Sequence, residues 1–494
     1  MFDINLRDYQ TETIDKLRQS VIAGKRRPVV QAPTGAGKTV MAAALVQMAR
    51  KNNGRIIFCV PAISLIDQTV ERFEANGIPA EDIGVIQADH YRTDRHAPVQ
   101  VASIQTLTRR ELDQFDIAII DECHVSFKFY ATWFAMEEWA NIPIIGLTAT
   151  PWAKGMGKLW DDLIVCTTTE QLINLGHLSD FKVFAPSHPD LSGVKTVLGD
   201  YDLKGLGQVM DAKPLVADIV STWLERAEYR PTLCFAVNRL HAKHLQKQFE
   251  EAGIPTDYQD AHTDIAERKQ IADRFQRGET KVVCNVGTLT TGIDWDVRCV
   301  ILARPTKSEI LYTQIIGRGL RTAAGKDHCL ILDHSDTTLR LGFVTDIHHD
   351  RLDSGTANSA AKEKPVLLPK ECTQCHFLRP PRTPVCPNCG FKAEAVNKVE
   401  SGDGELRELN RKTKQQEEPK FDPLENERFF RELVQYAKMQ GYKDGWAYYA
   451  YQDKFKKPPL NWFRKDGIAI TPTTASWIKH RNIARAKAKL RNGN

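Results

Sequence analysis

The sequence predicts an α/β chain: two tandem parallel-sheet lobes, then a four-cysteine module and a small, basic, mostly α-helical C-terminal module. Three observations carry this. Residues 1–345 alternate short β-branched or apolar runs with amphipathic stretches of helical length, the texture of strands covered on both faces by crossover helices. Four of the eleven cysteines fall as two Cys-x-x-Cys pairs within residues 372–389. Residues 421–494 hold 15 Lys and Arg against 7 Asp and Glu, in a chain whose net charge is only +5.

At ~150 residues per domain, a chain of 494 residues accommodates three or four units, each with its own core. Its 42% hydrophobic and 26% charged residues are ordinary for a globular protein. Apolar runs fall well short of the ~20 residues a membrane span needs, which excludes a membrane protein. The start MFDINLRDYQ lacks the basic and apolar regions of a secretory signal, so a cytoplasmic, nucleoid-associated location is expected. Cys59, Cys123, Cys166, Cys234, Cys284, Cys299 and Cys329 sit in apolar or motif segments and read as buried thiols.

The first lobe is expected over residues 1–165, with strands at PVVQ, RIIFCVP, VQVASIQ, FDIAIIDE and PIIGLTAT. The second, residues 166–350, opens with a helix-containing crossover that feeds FKVFAP, and continues through TLCFAV, TKVVCNV, VRCVILA and HCLILD. Polar residues 351–369 and charged residues 393–420 read as linkers around the cysteine module at 370–392. Residues 421–494 read as a helical module whose Trp446, Tyr448, Tyr449, Tyr451, Trp462 and Trp477 are mostly core, with the run KHRNIARAKAKLR left for phosphate contact.

Residues 32–39, AlaProThrGlyAlaGlyLysThr, lie between the strand PVVQ and a helix, the setting in which a glycine-rich loop cradles phosphate. Thr34, Gly35, Ala36 and Gly37 supply backbone amides, Lys38 reaches the β- and γ-phosphates, and Thr39 holds Mg²⁺. Asp121 and Glu122 close a buried strand, where α/β proteins bind ligands. Water attack on phosphorus needs one carboxylate at the metal and one group on the water, so Asp121 is assigned to Mg²⁺ and Glu122 to the water. His124 would link hydrolysis to nucleic-acid binding. In the second lobe, Gln314, Arg318 and Arg321 are spaced four and three apart and are expected on one helix face, aimed at the γ-phosphate.

These motifs stand in the order of the superfamily 2 helicases. LeuArgAspTyrGln (6–10) resembles the adenine-reading start, which implies Gln10 on the base and Arg7 stacked against it. APTGAGKT resembles motif I, DECH (121–124) motif II, ThrAlaThr (148–150) motif III, ThrThrGlyIleAsp (290–294) motif V and QIIGRGLR motif VI. The resemblance covers residues 5–335 and implies RecA-like lobes, ATP and Mg²⁺ as cofactors, and Gly292 and Asp294 near the ribose or interlobe contacts. VPAISLIDQ (60–68) and VASIQTL (101–107) are similar to strand-contacting motifs. The wording is most similar to RadD-type bacterial and prophage repair helicases, with XPB and restriction motor subunits more distant. That branch implies a DNA substrate, duplex, branched or single-stranded, and single-strand-binding, repair or phage-replication proteins as partners.

Cys372, Cys375, Cys386 and Cys389 present two thiolate pairs, each able to span one edge of a tetrahedron around a structural Zn²⁺. The expected activity is ATP-dependent unwinding or remodelling of DNA. The competing readings are an RNA helicase, and the motor subunit or scaffold of a restriction or phage-defence complex.

Overall fold

A computed structural model describes residues 4–355 except 88–89, 111–112, 126–127 and 291–292, then 367–392, and 422–491 except 444, with side chains to 482. Gly292, most of both linkers and most of the basic run 479–491 lie outside the described backbone or side chains.

The first sheet holds seven parallel strands: β1 (Pro28–Gln31), β2 (Ile56–Val60), β3 (Ile83–Ile86), β4 (Val99–Ser103), β5 (Ile117–Asp121), β6 (Ile144–Thr148) and β7 (Asp162–Val165). They run in the order β3-β4-β2-β5-β6-β1-β7. β-Branched side chains in β1, β2 and β4 are buried along their whole length, because helices such as Asp8–Ile22 and Lys38–Lys51 cover the sheet. Register then decides function. Gln31 pairs with Thr148 and Asp121 with Leu147, so the loops after β1, β5 and β6 leave the sheet side by side at one edge.

The second sheet is also parallel and contains β8 (Asp180–Phe184). A small hairpin, β9 (Thr196–Val197) and β10 (Asp200–Tyr201), follows it. The sheet continues with β11 (Thr232–Phe235), β12 (Thr256–Gln259), β13 (Val282–Asn285), β14 (Cys299–Leu302) and β15 (His328–Asp333), in the order β12-β13-β11-β14-β15-β8. One apolar cluster continues from lobe to lobe, joining Val30, Phe58 and Leu147 to Leu172, Val183, Val300 and Ile316.

The cysteine module carries β16 (Lys370–Glu371) and β17 (Leu378–Arg379), an antiparallel pair. It docks on the second lobe: Phe377 bridges to Phe184, and the Ala185 amide donates to the His376 carbonyl at 2.9 Å. The edge strand β8 thereby gains a cover.

The described residues from 422 onward form a separate unit. Its helices Pro423–Met439, Trp446–Phe455 and Pro472–Arg491 enclose Phe429, Phe430, Leu433, Tyr451, Phe463 and Ile478, with Trp446 and Trp477 packed against them. Tyr449 and Trp462 stand exposed. Among the described residues, no helix is long and apolar enough to cross a membrane.

Candidate active site

The loop after β1 turns through Gly35 at φ +84° and Gly37 at φ +81°, a left-handed backbone that suits glycine, before the helix Lys38–Lys51 begins. Crowding reinforces the requirement. A Cβ on Gly37 would stand 2.3 Å from Gln10 Nε2, and one on Gly35 would stand 2.5 Å from Leu178 Cδ2. The helix points its amino end, with Lys38 and Thr39, into the space where phosphate binds in such loops.

Strand β5 delivers Asp121 and Glu122 opposite this loop. Lys38 Nζ donates to Glu122 Oε1 at 2.6 Å, and the Glu122 amide donates to Asp121 Oδ1 at 3.0 Å. Glu122 itself adopts φ 48°, an uncommon conformation that swings its side chain toward Lys38. His124 Nδ1 lies 2.8 Å from Thr148 Oγ1 and 3.3 Å from Glu122 Oε2, which ties the loop after β5 to the end of β6. Across the lobe boundary, Gln314 Nε2 reaches His124 Nε2 at 3.2 Å.

The electrostatics follow from burial and pairing. Burial alone would lower Lys38, but Glu122 and Asp121 raise it and keep it charged. Burial works against the Glu122 carboxylate, yet Lys38 and His124 hold it well below the usual carboxylate range. Asp121 has no charged partner in direct contact among the described residues, and burial pushes it up to about 6 against the pull of Lys38. A buried carboxylate in that condition gains from a cation beside it.

The second lobe brings the arginines. The helix Glu309–Gly319 carries Gln314 and Arg318, whereas Arg321 stands just past its end and not on the same helical face as expected. Lys326 Nζ explains the stop by donating to the carbonyls of Gly319 and Arg321. Arg318 is 7% exposed and is pushed down to about 10 by burial and by Arg321. Among the described residues its guanidinium makes only long contacts, to the Gln314 and Ile293 carbonyls at 3.4 Å. Arg321 pairs with Asp294.

A cavity of about 500 Å³ lies among these groups, lined by Arg7, Thr39, Asp121, Glu122, Asp294 and Arg318 with the loop at 33–38. Gln10 is 2% exposed, and both ends of its amide are engaged: Oε1 accepts from the Arg7 amide at 2.9 Å, and Nε2 donates to the Ala36 carbonyl at 2.8 Å. It therefore braces the loop. Arg7 Nη1 donates to Tyr9 Oη at 2.8 Å at the rim. Ala36 is fully buried, and Thr34 meets the second lobe, where a Cβ on Gly317 would stand 2.8 Å from its Oγ1.

Sequence reasoning missed Arg72, Asn76 and His177 in the lining, and it placed Gln68 in a strand-contacting motif although Gln68 also faces the cavity. The spacing carried a signal. Gln68 and Arg72 are four apart on the helix Ile66–Ala75, opposite buried Ile66, Val70 and Phe73.

In the cysteine module the four sulfurs converge within 4.8 Å of one another. Cys372 Sγ and Cys389 Sγ are 3.7 Å apart, and Cys375 Sγ and Cys386 Sγ are 3.8 Å apart. A tetrahedral zinc with bonds of ~2.3 Å has edges of ~3.8 Å, so the donor set fits the metal. Gly390 at φ 73° makes the turn that follows the last ligand.

Two parallel-sheet lobes with a phosphate loop, an Asp-Glu strand end and a cleft-facing arginine helix are the architecture of a helicase motor, and the family matches place the chain among the superfamily 2 helicases. Residues 3–153 match the family model described as "Type III restriction enzyme, res subunit", and residues 215–323 match "Helicase conserved C-terminal domain". The chain is 33% identical over 354 residues to a putative ATP-dependent helicase, IRC3, of Saccharomyces cerevisiae, covering 66% of this chain and 51% of the yeast protein. It thus spans about half the length of that relative. It is 28% identical over 378 residues to a 51.5 kDa protein of a Lactococcus phage, covering 75% of this chain and 79% of the phage protein. It is also 23% identical over 345 residues to the ATP-dependent DNA helicase uvsW of Enterobacteria phage T4, covering 63% and 66% respectively.

Proposed function

We propose that this chain hydrolyses Mg-ATP between its lobes and uses the accompanying lobe movement to translocate on, unwind or remodel DNA. The observation that carries the reading is the cavity in which Lys38, Asp121 and Glu122 of the first lobe face Arg318 and Arg321 of the second. When bound, Mg-ATP supplies the phosphoryl group whose charge these residues would neutralise. Lys38 and the amides of 34–37 would hold phosphate oxygens, and Thr39 and Asp121 would hold the metal. Glu122, released from Lys38, would take the proton of the attacking water. Gln314, Arg318 and Arg321 would stabilise developing charge from across the cleft. Gln10 and Arg7 would read the adenine, and Gly292 and Asp294 would stand at the ribose side. Cys372, Cys375, Cys386 and Cys389 would bind Zn²⁺ and fold residues 370–392, so purified protein that contains no zinc by elemental analysis removes that site.

DNA as the substrate rests on the DNA helicase among the relatives and on the wording of the motifs, which also supports the RadD-like branch and a role in repair, recombination or phage replication. The deciding experiment is steady-state ATP hydrolysis without nucleic acid and with single-stranded, duplex or forked DNA, or RNA. Lys38→Ala is the control. Manyfold stimulation by one DNA, absent in the control, supports the proposal. Stimulation by RNA alone changes the substrate, and no stimulation by any of them overturns the motor reading of the isolated chain.

A further inference from the structure

The stretch 342–355, GlyPheValThrAspIleHisHisAspArgLeuAspSerGly, joins the second lobe to the cysteine module. A connector with that task has no need to touch the first lobe. This one does so repeatedly. Phe343, Val344 and Ile347 are buried in the apolar cluster shared by the lobes, and Leu352 packs on the core of the first lobe around Trp133 and Trp160. Asp353 then caps the loop between β6 and β7. Its Oδ1 accepts from the Gly155 amide at 2.9 Å, and its carbonyl accepts from the Gly157 amide at 2.8 Å. Gly157 makes room, since a Cβ there would lie 3.1 Å from the Asp353 carbonyl oxygen.

His349 sits at the middle of the crossing and touches both lobes. Its ring centroid is 5.0 Å from that of Trp152, two residues after ThrAlaThr in the first lobe. Its Nε2 donates to Glu309 Oε2 at 2.7 Å, and Glu309 is the first residue of the helix that carries Gln314 and Arg318.

We infer that residues 343–355 form a clasp that ties the second lobe to the first, and that His349 is a positioning residue for the arginine helix. The inference rests on the proposed ATPase reading for its catalytic consequence, and on geometry alone for its structural one. A site completed by both lobes binds its ligand with an apparent affinity scaled by the fraction of molecules already closed. Contacts that bridge the lobes in the free protein raise that fraction.

The test uses the full chain with one distance label on the helix Asp8–Ile22 and one on the helix Arg239–Glu251. In ligand-free protein, the double substitution His349→Ala with Asp353→Ala is expected to lengthen and broaden the label distance. It is expected to raise the KM for ATP about 2- to 10-fold, the effect of losing one or two hydrogen bonds, and to lower kcat by a few-fold, because Arg318 is then less well placed. His349→Gln keeps a donor for Glu309 and is expected to recover part of the KM. A melting curve identifies variants that fail to fold, and Asp353→Ala alone then carries the measurement. An unchanged distance distribution overturns the clasp, and a widened distribution with unchanged KM overturns the positioning role. A wild-type chain that hydrolyses no ATP overturns the proposed activity instead, while the label distances still decide the clasp.

Discussion

Lys38 Nζ lies 2.6 Å from Glu122 Oε1, so the cation that would bind phosphate and the carboxylate that would activate water are paired with each other. Entry of a triphosphate gives Lys38 a competing anion and frees Glu122 for the water. Glu122→Gln keeps an oxygen for Lys38 but removes the base. ATP affinity should therefore survive, while single-turnover hydrolysis falls by ~10²–10⁴, the usual contribution of a general base. Hydrolysis at the wild-type rate in this variant would assign the water to another group.

Arg318 and Arg321 are not equivalent. Arg321 is committed to Asp294, whereas Arg318 is buried, has no acidic partner among the described residues, and meets only carbonyls at 3.4 Å. An uncommitted buried guanidinium is costly unless a ligand completes it. Arg318→Ala should lower kcat by ~10³ or more with little change in nucleotide binding, as for an arginine that acts on the transition state. Arg321→Ala should do less to kcat, because its charge is already partly answered. Equal losses in the two variants would contradict this division.

How far the site could be read in advance depended on how strongly local chemistry constrains each part. Gly35, Gly37, Lys38, Asp121 and Glu122 were legible because a phosphate loop and a strand-end carboxylate pair need fixed residue types at fixed places. The central strands were legible too, since burial on both faces leaves continuous apolar runs. Among the strands of the two large sheets, those that escaped were β3, β7 and β12, and all three lie at sheet edges, where one side is open and composition is less constrained; the two-residue pairs β9-β10 and β16-β17 are too short to leave a pattern in the sequence. β12 reads ThrAspTyrGln, with no aliphatic residue. The position of Arg321 beyond its helix depended on Lys326 capping the last carbonyls, a contact that spacing alone does not reveal. The bracing of Gln10 against Ala36 is likewise a tertiary contact, between segments 26 residues apart.

His241 offers a test by pH. It is fully buried at the start of the helix Arg239–Glu251, its Nε2 has no hydrogen-bond partner among the described residues, and burial pushes it down to about 4 from 6.5. Because the folded value lies below the unfolded one, the unfolded chain binds the extra proton first. Stability is therefore unaffected above about pH 6.5 and falls as pH drops toward 4, by up to about 3 kcal/mol. Denaturant unfolding of the wild type and of His241→Phe at pH 7.5, 6 and 5 checks this. The variant should show a shallower loss toward acid, and parallel curves would place the acid sensitivity elsewhere.

Closure itself can be tested at a single atom. Gly317 lies on the arginine helix, and a Cβ there would stand 2.8 Å from Thr34 Oγ1 and 3.1 Å from Thr34 Cβ. Thr34 belongs to the phosphate loop, whose backbone is fixed by the left-handed turns at Gly35 and Gly37, so the loop can yield only by rotating a side chain. Gly317→Ala therefore acts as a wedge between the lobes and not as a defect within either. The expected result is a several-fold rise in the KM for ATP with the melting temperature of the protein nearly unchanged, because alanine favours the helix over glycine by ~1 kcal/mol. Thr34→Ala removes the closer contact and leaves the one at 3.1 Å, so the pair of substitutions should restore most of the wild-type KM. Additive effects of the two changes, in place of rescue, would show that Gly317 and Thr34 do not meet when ATP is bound.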